Sequence, residues 1–292
     1  CPSCGERSVS WGWSAPDYNR SCGTARFHSA RCSVCDLIFL VDPPGNLGPY
    51  YENEPAPQAE VTPEQASKMQ WERVDLVSRH AAGRRLVELG PGLGGFAYAT
   101  AVRGFDVTVV DRNPAFLQRL QHVPNIRGVL ADDPSSVLEV ETSFDVIAMW
   151  QSLEHMPAPW ALLELAARRL SANGIVVLAT PNPDCLGAKL FRGRWYHFDA
   201  PRHLTLLSKQ WFEFMASRIG LSIVHYSAQD REARFWNKAS WRHSLENLVT
   251  SSTQKKRMRT LGGMLSRTVG SLERRWLPLD SHTLVLRAAR AQ

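Results

Sequence analysis

No stretch of this chain approaches the roughly 18 consecutive apolar residues that a membrane-crossing helix requires, so a helical transmembrane protein is excluded. No basic, then apolar, then small-residue pattern of a secretory leader precedes Cys1, and the chain is expected to be soluble and cytoplasmic. A start at cysteine rather than methionine reads as a processed or truncated chain. A lipidated N-terminal cysteine is disfavoured, because Cys1 already belongs to a C-x-x-C pair. Internal repeats and low-complexity tracts are absent, which excludes a repeat array. No nucleic-acid recognition motif accompanies the net charge of +6, so no specific nucleic-acid partner is expected. What remains is 292 residues with 44% apolar content, room for one large α/β domain and a small module.

Cysteine is scarce, six in all, yet four of the six are paired as Cys1-Pro2-Ser3-Cys4 and Cys32-Ser33-Val34-Cys35. The 27 residues between the pairs exceed the about 15 to 20 common in zinc motifs, but they are rich in turn formers and can fold as a ribbon or loop. Four thiolates suit a closed tetrahedral Zn2+ site, structural because no position is left for water. Two disulfides or free thiols are the alternative, disfavoured where thiols stay reduced. Cys22 and Cys185 are left over, with Cys22 the weaker candidate for a ligand.

Residues 1–41 therefore read as a zinc-ribbon module and residues 42–82 as a linker and entry helix. Pro43, Pro44, Gly45, Gly48, Pro49, Pro55 and Pro57 keep the first part irregular. Thr62, Pro63 and Glu64 then open a helix that the pattern carries to Ala82. Beyond it an apolar strand, Leu86 to Leu89, runs into Gly90-Pro91-Gly92-Leu93-Gly94-Gly95. Glycines there let backbone approach a ligand, and a helix opening after them presents its N–H groups to it. The next strand, Val107 to Val110, ends in Asp111, 21 residues after Gly90, where a carboxylate can grip a ribose diol. Gly90, Gly92 and Gly95 satisfy the dinucleotide pattern G-x-G-x-x-G, so a nicotinamide cofactor and another nucleotide cofactor both fit.

Glu88, two residues before the first glycine, with Gly90, Gly92 and Gly94, resembles motif I of the class I S-adenosylmethionine-dependent methyltransferases. The resemblance implies that Glu88 and the glycines lie against the methionine part of S-adenosyl-L-methionine and that Asp111 takes its ribose hydroxyls. It extends to Asn125–Asp132, a third strand whose Asp132 meets the adenine, with Asp133 close behind, and to Phe144–Trp150, a buried fourth strand. Gln151-Ser152-Leu153-Glu154-His155 follows as the family's Leu-Glu-His segment and sets Trp150 beside the cofactor. A helix from Ala161 to Leu170, stopped by Asn173-Gly174, leads to a fifth strand, Ile175 to Thr180. The implied fold is α/β, a Rossmann-like seven-stranded methyltransferase sheet, mostly parallel, with an antiparallel strand at one edge formed by Leu221–Ala228 and His282–Ala289. The cofactor-binding core spans residues 83–228, and residues 278–292 supply the final strand.

Trp195-Tyr196-His197, with Pro201-Arg202-His203-Leu204, is similar to the acceptor loop of small-molecule and glycan methyltransferases from natural-product and surface-polysaccharide pathways. Transfer to oxygen needs a base, and His203 and His155 qualify by position. Trp195, Tyr196, His197 and Arg202 become candidate acceptor contacts, with an aromatic core cluster as the alternative for the first three. Tyr51, beside Tyr50 in the linker, is a candidate to reach over the cofactor. The expected activity is O-methylation of a small-molecule or sugar hydroxyl. Sugar C-methylation, a NAD-dependent oxidoreductase and a non-catalytic cofactor-binding scaffold are the alternatives. The carboxylate cluster of a magnesium-catechol enzyme is not evident.

Residues 229–277 form an insertion before the last strand. Between Gln229 and Arg275 eleven Lys or Arg face four acids, so this segment carries the whole positive excess. Trp236, Trp241, Leu245, Leu248, Met258, Leu261, Met264 and Leu265 interleave with the charges, the pattern of amphipathic helices. A solvated helical cap, a lid for an anionic acceptor, a membrane-surface contact and an oligomer interface are all compatible with it.

Overall fold

The computed structural model describes residues 1–51, 61–140 and 143–288. Pro55 and Pro57 of the linker and Ala289 of the last strand lie outside the described residues. The chain opens with β1 (Val9–Pro16), β2 (Arg26–Cys32) and β3 (Ile38–Leu40), followed by the short helices α1 (Gly48–Tyr51), α2 (Pro63–Ser67) and α3 (Trp71–His80). The alternating core follows as β4 (Arg85–Leu89), α4 (Gly95–Val102), β5 (Asp106–Asp111), α5 (Pro114–Gln118), β6 (Ile126–Leu130), α6 (Ser136–Val140), β7 (Phe144–Trp150), α7 (Pro159–Arg169) and β8 (Leu170–Pro181). Then come α8 (Leu186–Phe191), β9 (Thr205–Leu206), α9 (Lys209–Arg218), β10 (Leu221–Ser227), α10 (Arg231–Glu246), α11 (Ser252–Trp276) and β11 (Ser281–Ala288).

Seven strands form the main sheet in the order β10-β11-β8-β7-β4-β5-β6. Those from β8 to β6 pair in parallel, while β11 runs antiparallel to both β8 and β10. The antiparallel strand is thus one place in from the edge. Central strands such as β4 and β7 are apolar on both faces because helices cover both, which is why they read as continuous rather than alternating runs. Strand order reverses between β4 and β7, and ligands of open α/β sheets bind at the carboxyl ends beside such a reversal. The Gly90 turn and the Trp150–His155 segment both leave the sheet at that place. The insertion before β11 is a helical hairpin, α10 and α11.

The single entry helix expected from Thr62 to Ala82 is instead two helices broken between Ser67 and Trp71. Thr62 and Gln65 close a capping box on α2, and α3 turns away to bury Val74, Leu76 and Val77. The break lets α2 lie directly on the start of α4, where a Cβ on Gly95 would stand 2.7 Å from the carbonyl carbon of Ala66.

The N-terminal strands form a second, antiparallel sheet in the order β1-β2-β3-β9, so the module recruits a strand from the loop beyond β8. Its cysteine-bearing end rests on α9. Trp211 Nε1 donates to Ser3 Oγ at 3.2 Å and Arg218 donates to the Ser3 carbonyl. Cys32, Cys35 and Leu37 are buried in the same cluster as Trp211 and Met215.

Because Gly95 meets backbone rather than a movable side chain, Gly95→Val should destabilise the chain by about 1–3 kcal/mol in chemical denaturation. An unchanged midpoint would show that α2 does not pack there.

Candidate active site

The cofactor half of the site starts where β4 ends. Gly90 and Gly92 have φ of +78° and +52°, left-handed conformations that a side chain disfavours, and the space facing Gly92 is open. Glu88 is 2% exposed, its Oε2 has no hydrogen-bond partner among the described residues, and burial pushes its carboxyl up to about 8. Asp111 closes β5 and accepts from Asn113 N at 2.8 Å. Trp150, at the end of β7, packs edge-on to Phe96 and lies under the Arg73 guanidinium at 4.4 Å, with Nε1 buried and without a hydrogen-bond partner among the described residues. Ser152 Oγ, across from Gly90, is unpartnered as well. Asp132 lies just beyond β6 and is exposed.

The candidate acceptor half is built where the Leu-Glu-His turn meets the loop preceding β9. Leu204 N donates to the Glu154 carbonyl at 2.9 Å and draws the two segments together. His155 and His203 stand edge to face with ring centroids 4.7 Å apart. His203 Nδ1 lies 2.8 Å from the His197 carbonyl and His155 Nδ1 3.1 Å from the Arg202 carbonyl. A carbonyl only accepts, so His203 Nδ1 carries the proton and its Nε2 keeps its lone pair. Burial lowers the pKa of both imidazoles, to about 3 for His155, and they are neutral at pH 7. Tyr51 Oη is 3.1 Å from His155 Nδ1, and the Arg112 guanidinium covers the Tyr51 ring at 5.3 Å. Tyr51 therefore spans from His155 to Arg112, the residue that follows Asp111.

Glu154 was legible only as part of the Leu-Glu-His segment, and the structure gives it more weight. It is 1% exposed, both its oxygens lack a hydrogen-bond partner among the described residues, and burial pushes it up to about 8. One ligand atom each from Glu154, His155 and His203 lies within 4.8 Å of the others. Glu232 of α10 reaches in from the insertion, pairing with Arg73 and accepting from Gln151 Nε2 at 3.1 Å. Trp236 packs edge-on to His197, and His243 stacks on Tyr196. One side of α10, from Glu232 in its first turn to His243 in its last, thus lines the candidate acceptor side, a contribution that no local motif announces.

Two candidate acceptor contacts need correction. Arg202 is buried and gives every N–H away: Nε and Nη2 to Asp199, Nη1 and Nη2 to Asp17, and Nη1 to the Tyr50 carbonyl. Trp195 is buried in a third apolar cluster, and its Nε1 is given to Asp280 rather than free for an acceptor. Tyr196 is half-buried, and His197 is buried with Nε2 unpartnered and its pKa pushed by burial to about 3. Burial opposes ionisation of Asp199, but His203 and Arg202 outweigh it and hold that carboxyl well below its usual range.

The four N-terminal cysteines converge from the two C-x-x-C turns. Cys1 and Cys35 Sγ are 3.6 Å apart, as are Cys4 and Cys32 Sγ, and all four lie within 4.8 Å. A tetrahedron with metal–sulfur bonds of about 2.3 Å has edges of about 3.8 Å. The spacing fits that figure, and none of the six cysteines is bonded to another.

A family model described as a methyltransferase domain matches residues 64–226. The ubiquinone biosynthesis O-methyltransferase of Chromobacterium violaceum is 30% identical over 119 residues, covering 38% of this chain and 50% of that protein. Its counterpart in Alkalilimnicola ehrlichii is 32% identical over 105 residues, covering 34% and 42%. The chain spans at most half the length of these curated relatives. Among solved structures, a candidate sarcosine dimethylglycine methyltransferase from Galdieria sulphuraria superposes with a TM-score of 0.53 at 16% identity, covering 77% of this chain and 86% of that one. A SAM-dependent methyltransferase from Archaeoglobus fulgidus gives 0.50 at 16% identity, covering 77% and 94%.

A carboxyl that titrates at about 8 when folded and near 4.5 when unfolded binds more protons in the folded state between those values. Glu154 therefore lowers stability progressively as pH rises through that window. Glu154→Gln should raise the melting temperature at pH 8 by roughly 3–8 °C and leave it unchanged near pH 4. An equal shift at both pH values would contradict the buried, unpartnered carboxyl.

Proposed function

The chain belongs to the methyltransferase-domain family, and on that premise we propose that it transfers a methyl group from S-adenosylmethionine to a hydroxyl oxygen of a small-molecule or sugar acceptor. The observation that carries this reading is the pair of buried imidazoles, His155 and His203, edge to face with ring centroids 4.7 Å apart, with the His203 Nδ1 proton given to the His197 carbonyl. Family membership sets aside the nicotinamide reading. That the curated relatives are named for O-methylation supports oxygen over carbon as the acceptor atom.

The residues present fit the cofactor. Among the described residues, Glu88 Oε2 and Trp150 Nε1 are buried polar atoms without partners, and open space faces Gly92. Buried polar groups left unpaired in a folded chain call for a ligand or ordered water. Glu88, Gly90, Gly92 and Gly94 would hold the methionine part, Asp111 the ribose, Asp132 the adenine, and Trp150 and Tyr51 would flank it. When bound, S-adenosylmethionine supplies a methyl group already activated on a sulfonium.

This chain's part is to align the acceptor, exclude water and take one proton. His203 Nε2 receives the hydroxyl proton. Asp199 Oδ2, 3.9 Å away, favours the imidazolium so formed. His155, held by the Arg202 carbonyl and next to Tyr51, orients the same hydroxyl. Trp236, Tyr196 and His197 form the wall. Cys1, Cys4, Cys32 and Cys35 would hold one structural Zn2+, and that ion would keep the module seated on α9 and β9.

Calorimetric titration with S-adenosylmethionine should give micromolar binding that Gly92→Val abolishes. His203→Ala should lower kcat for a hydroxylated acceptor by about 10²–10⁴ while leaving cofactor affinity unchanged. Normal turnover by that variant would remove His203 as the base, and absence of cofactor binding would remove the methyl donor. Elemental analysis should find one zinc per chain, lost in Cys32→Ser.

A further inference from the structure

We propose that the outer face of α11 docks this protein on an anionic lipid bilayer. The helix has 25 residues and two unlike sides. Its inner side packs on α10 at backbone distance, since a Cβ on Gly262 would stand 2.6 Å from the Trp241 carbonyl oxygen. Glu273, the helix's one carboxylate, is turned inward and accepts from Asn237 and Trp241. On the outer side Leu261, Met264 and Leu272 fall on one stripe at helical spacing, and Trp276 continues it at the end. Met264, Leu272 and Trp276 are 59%, 65% and 74% exposed, and Leu277 follows, also exposed. Lys256, Arg257, Arg267 and Arg275 are exposed along and beside the stripe.

An apolar stripe edged by cations, with no outward acid, matches the interfacial helix that buries its apolar side chains among acyl chains while its cations meet anionic headgroups. The charge decides between occupants. A second copy seated stripe to stripe would bring Lys256, Arg257 and Arg275 against their equals, with each helix's one carboxylate, Glu273, turned inward. An anionic bilayer supplies the countercharge along the whole stripe. A nucleic acid would engage the cations and leave the apolar residues without a partner. The inference does not depend on the methyl acceptor.

The full chain should co-float with vesicles of phosphatidylcholine and phosphatidylglycerol at low salt, and bind vesicles of phosphatidylcholine alone at least tenfold more weakly. Leu272→Ser with Trp276→Ser should weaken binding to the mixed vesicles at least tenfold. Lys256→Gln and Arg257→Gln should each cost roughly fivefold. All four positions are exposed, so folding is not at stake, and unchanged melting temperatures verify that. Three outcomes would overturn the proposal: no association with anionic vesicles, association that salt abolishes but the serine variants do not change, and a stable dimer in sedimentation that the serine variants dissociate.

Discussion

The guanidinium of Arg202 offers five N–H donors, and Asp17, Asp199 and the Tyr50 carbonyl accept all five. Asp17 follows β1 of the N-terminal module, Tyr50 belongs to the linker, and Asp199 stands in the loop that carries His203. Three segments remote in sequence are thus fixed to one planar group that is 2% exposed. A planar fork satisfied on both edges sets orientation as well as distance, which a point charge would not. The backbone carbonyl of the same residue lies 3.1 Å from His155 Nδ1, so the residue that joins the module to the core also touches His155.

Around that junction the molecule keeps unusual polar groups dry. Glu88 and Glu154 are buried carboxyls pushed to about 8, and the neighbouring histidines are pushed down until they are neutral. Both shifts have burial as their largest cause, which raises carboxyls and lowers imidazoles alike. Such groups cost stability, and buried titratable groups of this kind cluster at functional sites. The Cys1/Cys4/Cys32/Cys35 cluster bears on the same region from the other side, because β3 pairs with β9 directly after His203 and Leu204.

Much of the sheet was legible because its signals are local. Apolar runs such as Phe144–Trp150, the spaced glycines and the terminal Asp111 each declare a strand, a turn or a strand end within a few residues. The cysteine pairs were equally readable, since C-x-x-C brings two thiols together without help from the rest of the fold. What could not be read was long-range. Nothing near Asp17 announces that it meets Arg202, 185 positions later. Arg202 looked like an acceptor contact for the same reason: a loop arginine gives no sign of being saturated until its acceptors are in place. Glu232 and Trp236 come to the site from an insertion whose composition indicated only an amphipathic helix. The entry helix ran on too far because its break is imposed by the close approach of Ala66 to Gly95, a tertiary contact invisible to periodicity.

The central claim is that one saturated guanidinium couples the module to the loop that holds His203. Hydrogen–deuterium exchange on Arg202→Lys tests it most directly, because lysine keeps the charge but offers only three donors and no fork. The account predicts that protection falls together in residues 14–22 and 195–206, while β4, β5 and β7 exchange as in the parent chain. Retained protection in both segments, or loss in one without the other, would contradict the coupling.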